Sequence, residues 1–339
     1  MKIFLQLISG VSISIFLIFF LRKHAKFIKL IDNPCARKKH TGNIPTIGGI
    51  SIYFSVIFSS FFITNSITEI HYLLLFFLPV FIISLIDDIK PQNWIVRIAF
   101  QFFSAFLVVR FLGYEITTLD NIIFFEKIDL GVFSQLFSIL LIMFMVNAFN
   151  FIDGHDGLSS SFFIFALIFL TINNLHIEYF TNLILSPLIA TLVFLYFNLS
   201  NRYKIFLGDS GSSLLGFLFG CLIITAHNDF DLGISSSFTL FLAPIPVLDL
   251  ISVLVLRLYY GKSLFQADRL HVHLIMKDLG FLNFQILLFL LIINFLIFAI
   301  IMQFKSFTHI SYAFIIIQVI YIITLIKLSK KVTVYEKGN

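Results

Sequence analysis

The sequence predicts an all-α polytopic membrane protein with about eleven transmembrane helices. Of its 339 residues, 59% are hydrophobic and only 12% are charged, whereas soluble domains carry roughly 25% charged residues. Apolar runs long enough to cross a bilayer, allowing for tilt and polar breaks, recur along the whole chain. They cover residues 3–21, 46–64, 71–86, 95–112, 132–149, 158–172, 183–199, 211–226, 236–256, 284–302 and 309–326. We therefore expect one integral-membrane domain over residues 1–339.

The first run is expected to remain in the protein as a membrane helix. Arg22 and Lys23 follow it directly, and no small-residue cleavage site is present, so it does not read as a secretory signal. The two cysteines, Cys35 and Cys221, lie in unrelated contexts, which excludes a disulfide framework.

The basic residues predict the orientation of the chain in the membrane. Nineteen of the 23 Lys and Arg residues fall in alternate loops on one face or in the C-terminal tail. Because positive residues are retained on the cytoplasmic side, loops 22–45, 87–94, 150–157, 200–210 and 257–283 should be cytoplasmic. An odd number of crossings then gives a periplasmic N-terminus and a cytoplasmic C-terminus in a bacterial inner membrane. The lipid bilayer is thus a partner of this chain, and nothing in the sequence suggests nucleic acid.

Most of the chemically conspicuous acids fall on the same predicted face. They are Asp87, Asp88, Asp153, Asp156, Asp209 and Asp268. A secondary transporter would instead be expected to place polar residues near the midplane in broken helices, and only Asp249 resembles that arrangement. The sequence therefore favours an enzyme at the inner membrane surface. For Asp249, a hydrogen bond between helices and a catalytic role both remain open.

The segment from Asn147 to Gly157 interrupts two apolar runs with two carboxylates, Asp153 and Asp156, each followed by a glycine. Ionisable groups near bilayer depth are costly unless paired, hydrated or metal-bound. A glycine-hinged turn with two carboxylates can hold a divalent cation. The alternative is a polar loop in which Asp156 caps the next helix.

Asp87 and Asp88 end another apolar run. Adjacent carboxylates repel each other, so either one is protonated or a cation neutralises the pair. This suits a general base or a metal site. A solvated helix C-terminus is the alternative, although acids there oppose the helix dipole.

A glycine-rich turn over residues 206–213 precedes a further helix. Such a turn points backbone N–H groups at an anion, and Asp209 could bind the Mg²⁺ that accompanies it. A plain helix start capped by Asp209 or Ser210 is the alternative.

Two further loops carry candidate anion ligands. Residues 267–274 contain Asp268, Arg269, His271 and His273, and they lack the further ligands of a zinc site. An anion site is expected there, because the arginine fork and the imidazoles can donate to phosphate. In residues 32–49, Lys38 or His40 could contact phosphate, or the charge run could be only a membrane anchor.

Taken together, these segments resemble the polyprenyl-phosphate N-acetylhexosamine-1-phosphate transferase family, which is of the glycosyltransferase family 4 type. The family includes initiating enzymes of O-antigen and enterobacterial common antigen synthesis and the phospho-MurNAc-pentapeptide translocase. The resemblance covers about residues 33–280. It is carried by the Pro…Arg-Lys-x-His…Pro-x-x-Gly-Gly segment, Asp87-Asp88, Asn-x-x-Asn-x-x-Asp-Gly-x-Asp-Gly, Asn198, Phe-Leu-Gly-Asp-Ser-Gly-Ser, Pro246…Leu-Asp249…Arg257 and Asp-Arg-x-His-x-His.

The resemblance implies ten or eleven helices and a cytoplasmic, Mg²⁺-dependent site, with Mn²⁺ as an alternative ion. A UDP-N-acetylhexosamine would donate sugar 1-phosphate to undecaprenyl phosphate and release UMP. The roles it implies are catalysis by Asp87, Asp88, Asp153 and Asp156; metal binding by Asp209 and Asp153; and substrate binding by Lys38, His40, Asn150, Asn198, Asp268, Arg269, His271 and His273.

Two departures bear on the donor and its contacts. Leu274 follows His273 where the family often has another histidine, and Thr46 stands where a basic residue is common. The muramoyl-pentapeptide branch usually has three consecutive late histidines, which are absent, so an N-acetylhexosamine donor is favoured. A UDP-MurNAc-pentapeptide transferase and a transporter of a phosphorylated substrate are the alternatives. The sequence does not decide between a monomer and a homodimer. It also leaves open which sugar is transferred and which polysaccharide pathway is served.

Overall fold

The protein is described here by a computed structural model covering residues 2–32, 42–64, 68–122, 125–174, 178–228, 240–264, 269–303 and 307–338. Helices dominate these ranges. They are α1 (Lys2–His24), α2 (Gly48–Thr64), α3 (Glu69–Ile89), α4 (Trp94–Leu112), α5 (Ser134–Ile152), α6 (Leu158–Asn174), α7 (Glu178–Leu199), α8 (Gly208–Asn228), α9 (Pro244–Tyr259), α10 (Val272–Asp278), α11 (Asn283–Met302) and α12 (Phe307–Gly338).

Each of the eleven predicted apolar runs overlaps one of these helices. Seven of them (α1, α3, α4, α5, α8, α11 and α12) contain segments long and apolar enough to cross a membrane. Shorter apolar segments lie in α2, α6 and α7. The chain is thus a multi-pass, predominantly helical membrane protein, while the count of eleven crossings and the orientation stay predictions.

The structure differs from the sequence prediction in two helices. Helix α9 begins at Pro244 rather than at residue 236, and residues 229–239 lie outside the described ranges. Proline suits the first turn of a helix, where no intrahelical N–H bond is lost. The short helix α10 lies within the predicted loop 257–283. A search for membrane-length apolar runs cannot find it, because it has only seven residues.

Two small antiparallel sheets were not predicted. One pairs β1 (Ile31–Asp32) with β2 (Ile44–Pro45). The other is a hairpin of β3 (Thr118–Ile122) and β4 (Phe125–Asp129). Strands this short carry no membrane-length hydrophobic signal, so only their pairing in three dimensions reveals them.

Helix α8 lies at the centre of the bundle and is buried on nearly every side. Its glycines allow this close packing: a Cβ on Gly216 would lie 2.5 Å from the Met145 carbonyl oxygen of α5. A Cβ on Gly49 of α2 would lie 2.3 Å from the Gly211 backbone nitrogen of α8. Small residues let membrane helices approach to backbone contact. Gly49 thus lets the start of α2 pack against the start of α8.

The segment before α2 also aligns the start of α8. Thr46 forms a parallel bridge with Phe206, and the Gly48 and Gly49 amides donate to the Phe206 and Leu207 carbonyls at 2.9 and 2.8 Å. These bonds fix the first turn of α8, which carries Asp209, beside the ends of its neighbours.

Candidate active site

Acids from three separate segments of the sequence meet at one end of the helix bundle. Asp87 and Asp88 end α3, Asp153 follows the last residue of α5, and Asp209 lies in the first turn of α8. The predicted gathering of these carboxylates is therefore present in the fold. Their individual contacts indicate different tasks.

Asp88 caps helix α8. Its Oδ1 accepts from the Asp209 amide at 2.7 Å, and its Oδ2 accepts from the Ser210 amide at 3.2 Å and the Ser210 hydroxyl at 2.9 Å. A carboxylate is favoured there by the unpaired N–H groups and the helix dipole. Gly208 has φ +77°, and a Cβ on it would lie 2.7 Å from Asp88 Oδ2. Asp88 therefore positions Asp209, and the sequence had suggested a catalytic role without indicating this cap.

Arg97, on α4, links the acids but was counted in the sequence only as one of the basic residues of the cytoplasmic face. Its Nη1 lies 2.9 Å from Asp87 Oδ2 and 3.5 Å from Asp209 Oδ2. Its Nη2 donates to Asn150 Oδ1 at 3.2 Å, and Asn150 donates in turn to Ser212 Oγ at 3.1 Å. The only signal for Arg97 in the sequence was its place near the start of the helix that follows the Asp87-Asp88 pair.

Asp153 lies among other carboxylates. Burial raises its pKa well above the usual value, and the nearby Asp209, Asp156 and Asp88 raise it further. Asp156 itself pairs with Lys204 at 2.5 Å. Within the described part of the site, five aspartates face the two cations Arg97 and Lys204. Carboxyl groups thus outnumber cations in this part of the site.

The donor set can be compared with what a magnesium ion requires. Among the described residues, no three His, Cys, Asp or Glu side chains form a ready-made metal site. Mg²⁺, however, usually takes one or two carboxylates and completes its shell with water and substrate phosphates. The carboxylate oxygens of Asp153 and Asp209 fit that mode of binding, in which the substrate supplies the remaining ligands.

Asn198 holds two loops of the site together. Its Oδ1 accepts from the Gly157 amide at 2.7 Å, and its Nδ2 donates to the Ile205 carbonyl at 2.8 Å. The side chain is buried. These bonds give Asn198 a positioning role for the 153–157 loop; substrate contact by this residue stays a prediction.

His155, in the same loop, was not singled out in the sequence. It is buried, and its Nε2 lies 2.8 Å from the Asn283 carbonyl oxygen at the start of α11. Burial is the main cause that lowers its pKa. This neutral ring ties the 153–157 loop to α11.

The two histidines of the His-x-His segment have different surroundings. His271 donates from Nδ1 to Asp249 Oδ2 at 2.7 Å. His273 is buried with no hydrogen bond to either ring nitrogen within the described residues, and burial lowers its pKa to about 3. A Cβ on Gly154 would lie 2.3 Å from His273 Nε2. The His-x-His segment therefore lies directly against the loop that carries Asp153.

The remaining predicted ligands are less informative. Arg269 binds Asp278 through two of its nitrogens, with Nε at 2.9 Å from Oδ2. Its predicted phosphate contact would require it to leave or share that partner. Lys38, His40 and Asp268 lie outside the described residues, so their roles in substrate binding stay predictions.

Comparison with known proteins identifies the family of this chain. A sequence profile of glycosyl transferase family 4 matches residues 70–227. Similar proteins include the undecaprenyl-phosphate alpha-N-acetylglucosaminyl 1-phosphate transferases of Yersinia pestis (30% identical, covering 79% of this chain and 75% of the relative) and Thermotoga maritima (30% identical, 77% of each). The protein of that name from Escherichia coli K12 is 29% identical over 80% of this chain and 77% of the relative. The chain belongs to the glycosyl transferase family 4 group of polyprenyl-phosphate hexosamine-1-phosphate transferases.

Proposed function

We propose that this protein transfers N-acetylhexosamine 1-phosphate from a UDP-sugar to undecaprenyl phosphate. The products are undecaprenyl-diphosphate-sugar and UMP, and UDP-GlcNAc is the first donor to test, since the similar proteins are named for that sugar. The observation that carries the proposal is the gathering of Asp87 and Asp209 around Arg97 at one end of the bundle, with Asp153 near Asp209.

This set of groups suits phosphoryl transfer, which depends mainly on charge neutralisation and in-line positioning. An oxygen of the lipid phosphate attacks the sugar-bearing phosphorus, and the bond from that phosphorus to the UMP oxygen breaks. Arg97 lies between Asp87 and Asp209, where its guanidinium can also donate to a phosphate oxygen. Asp87 is the candidate base, and the Asp88 cap holds Asp209 in place.

Mg²⁺ would be held by the carboxylates of Asp209 and Asp153, and it would supply neutralisation of the donor diphosphate and of the leaving UMP. The excess of carboxyl groups over cations supports this assignment, because carboxylates near a bilayer are costly unless a cation compensates them.

The reaction would take place at the cytoplasmic face of a bacterial inner membrane, as the first membrane step of O-antigen or another cell-surface polysaccharide. A water-soluble donor and an acceptor with a long apolar tail can meet only at that surface. Basic residues cluster at this end of the bundle: Arg22 Nη1 donates to the Lys204 carbonyl at 2.8 Å, and Lys204 pairs with Asp156. This clustering agrees with the positive-inside pattern.

The test uses membranes incubated with undecaprenyl phosphate and a panel of UDP-N-acetylhexosamines, with UDP-MurNAc-pentapeptide included. UMP and a lipid product of the matching mass should form only with Mg²⁺ and the acceptor present. Asp209→Asn should reduce turnover by about 100-fold or more, as expected for loss of a charge-stabilising group. Asp129→Asn, which alters an exposed acid of the β3–β4 hairpin, is the control. Turnover near wild type in Asp209→Asn, or no UMP from any donor, would refute the proposal.

A further inference from the structure

We propose that Asp249 is a positioning residue that holds His271 so that the histidine can bind the anionic donor as a cation. The inference rests on the proposed function and goes beyond it, because Asp249 lies on α9, away from the acids that gather around Arg97. Its side chain is almost completely buried. The contacts of its two oxygens decide the argument.

Three donors converge on this one carboxylate. Oδ1 accepts from the Val272 amide at 3.0 Å and from the Tyr321 hydroxyl at 3.1 Å. Oδ2 accepts from His271 Nδ1 at 2.7 Å. A carboxylate that receives three donors is ionised and acts only as an acceptor. The hydrogen of a neutral His271 is therefore on Nδ1, and Nε2 carries the lone pair.

The same carboxylate connects three elements. It caps the first turn of α10 through the Val272 amide, and it ties α9 to α12 through Tyr321. The hydrogen bond between helices expected for Asp249 is thus present. A purely structural tie would be satisfied by an uncharged acceptor, whereas a buried carboxylate carries a large desolvation cost. Here the negative charge can stabilise the imidazole of His271, with which it is paired.

His271 lies beside the candidate active site. Its ring is 5.3 Å from the Phe151 ring, two residues before Asp153, and 5.9 Å from the His273 ring beneath Gly154. Only 7% of its side chain is exposed. No described residue forms a hydrogen bond with Nε2, so this nitrogen is available to a ligand. In the protonated form that binds a diphosphate, Nε2–H of His271 donates to a phosphate oxygen, and Asp249 stabilises the imidazolium.

Asp249→Asn separates this role from simple packing. The amide oxygen can keep the Val272 and Tyr321 bonds, because both involve Oδ1. The amide nitrogen then faces His271 Nδ1, which must accept instead of donating. The hydrogen of the imidazole therefore moves to Nε2, and the imidazolium loses its anionic partner. The helix cap is preserved while the state of the histidine changes.

The kinetic test measures UMP release by wild type, Asp249→Asn, His271→Ala and the double variant. Loss of a charge-assisted hydrogen bond should lower kcat/KM for the donor by about 10-fold to 100-fold. The KM for the lipid phosphate should not change. The double variant should lose no more than His271→Ala alone, because Asp249 acts through that residue. Losses that multiply, or an Asp249→Asn variant as active as wild type, would overturn the inference while leaving the proposed function standing.

A second readout does not require activity. Diethyl pyrocarbonate at pH 8 acylates an imidazole nitrogen that has a free lone pair, and peptide mass analysis gives the rate at His271. Asp249→Asn should slow this rate, since Nε2 becomes protonated. The control is Ser252→Ala, which removes the bond from Gln318 Nε2 at 2.7 Å between α9 and α12 without touching His271, and it should leave the rate unchanged. Faster labelling in Asp249→Asn would indicate loosened packing and would overturn the inference.

Discussion

Arg97 shows how much of the site depends on a single side chain. It contacts Asp87, Asp209 and Asn150, which lie on three different helices. Hydrogen bonds to charged groups contribute roughly 1.5–3 kcal/mol each. Removing the guanidinium leaves two carboxylates near each other without their shared cation.

We expect Arg97→Gln to lower kcat/KM for UMP release by at least about tenfold, because the variant loses hydrogen bonds to charged groups. Arg97→Lys should recover part of the loss, because an ammonium keeps the charge without the two-pronged geometry. Arg110→Gln changes an exposed arginine in the last turn of the same helix and should leave the rate near wild type. Equal rates for Arg97→Gln and Arg110→Gln would contradict the assignment.

At the scale of single residues, the acids could be read from the sequence because carboxylates are conspicuous in an apolar chain. Their separate roles could not be read from the sequence. Asp87 and Asp88 are adjacent and look equivalent, yet Asp87 faces Arg97 while both oxygens of Asp88 bind the start of α8. Which side of the helix end each acid faces depends on the neighbouring helices.

At the scale of elements, the site depends on how closely α5 and α8 pack. Asp153 follows the end of α5 and Asp209 lies in the first turn of α8, so moving these helices apart would separate the two carboxylates. Gly216 faces the α5 backbone, with no flexible side chain that could move aside. Gly220 lies one turn further along α8, where a Cβ would be 3.0 Å from the Ile142 Cα.

We expect Gly216→Ala to lower the melting temperature and the turnover, and Gly220→Ala to do so much less. Overpacking typically costs about 1–3 kcal/mol, whereas alanine in place of glycine favours a helix by about 1 kcal/mol. A loss of stability in Gly216→Ala would therefore result from the clash with α5, because helix propensity alone favours alanine. Thermal unfolding in detergent and UMP release measure the two effects; a Gly216→Ala protein as stable as wild type would contradict this packing.

At the scale of the whole molecule, the orientation in the membrane decides whether the site can meet a nucleotide-sugar. Asn201 lies in the loop between α7 and α8, and Val132 lies just before α5 with 90% of its surface exposed. The basic residues predict that these two positions are on opposite sides of the membrane.

Cysteine labelling tests this topology in a Cys35→Ser background, where Cys221 is buried. An impermeant maleimide should label the Asn201→Cys variant only from the cytoplasmic side, in inside-out vesicles. It should label the Val132→Cys variant only from outside, in spheroplasts. The reverse pattern would place the carboxylates away from the donor, and both the orientation and the proposed reaction would fail.

The amino-acid sequence is enough to indicate a multi-pass helical membrane protein, the positions of its apolar helices, and the acids, asparagines and histidines that are candidates for the site. The length of an apolar run and the presence of a charged residue beside it are local properties, so they can be identified from a single sequence. Four contacts are visible only in the folded protein: Arg97 joins the acids, Asp88 caps α8, Asn198 ties two loops and Asp249 binds His271. These partners lie between 10 and 121 residues apart along the chain. Only the close packing of helices, permitted by glycines such as Gly49 and Gly216, brings them within hydrogen-bonding distance.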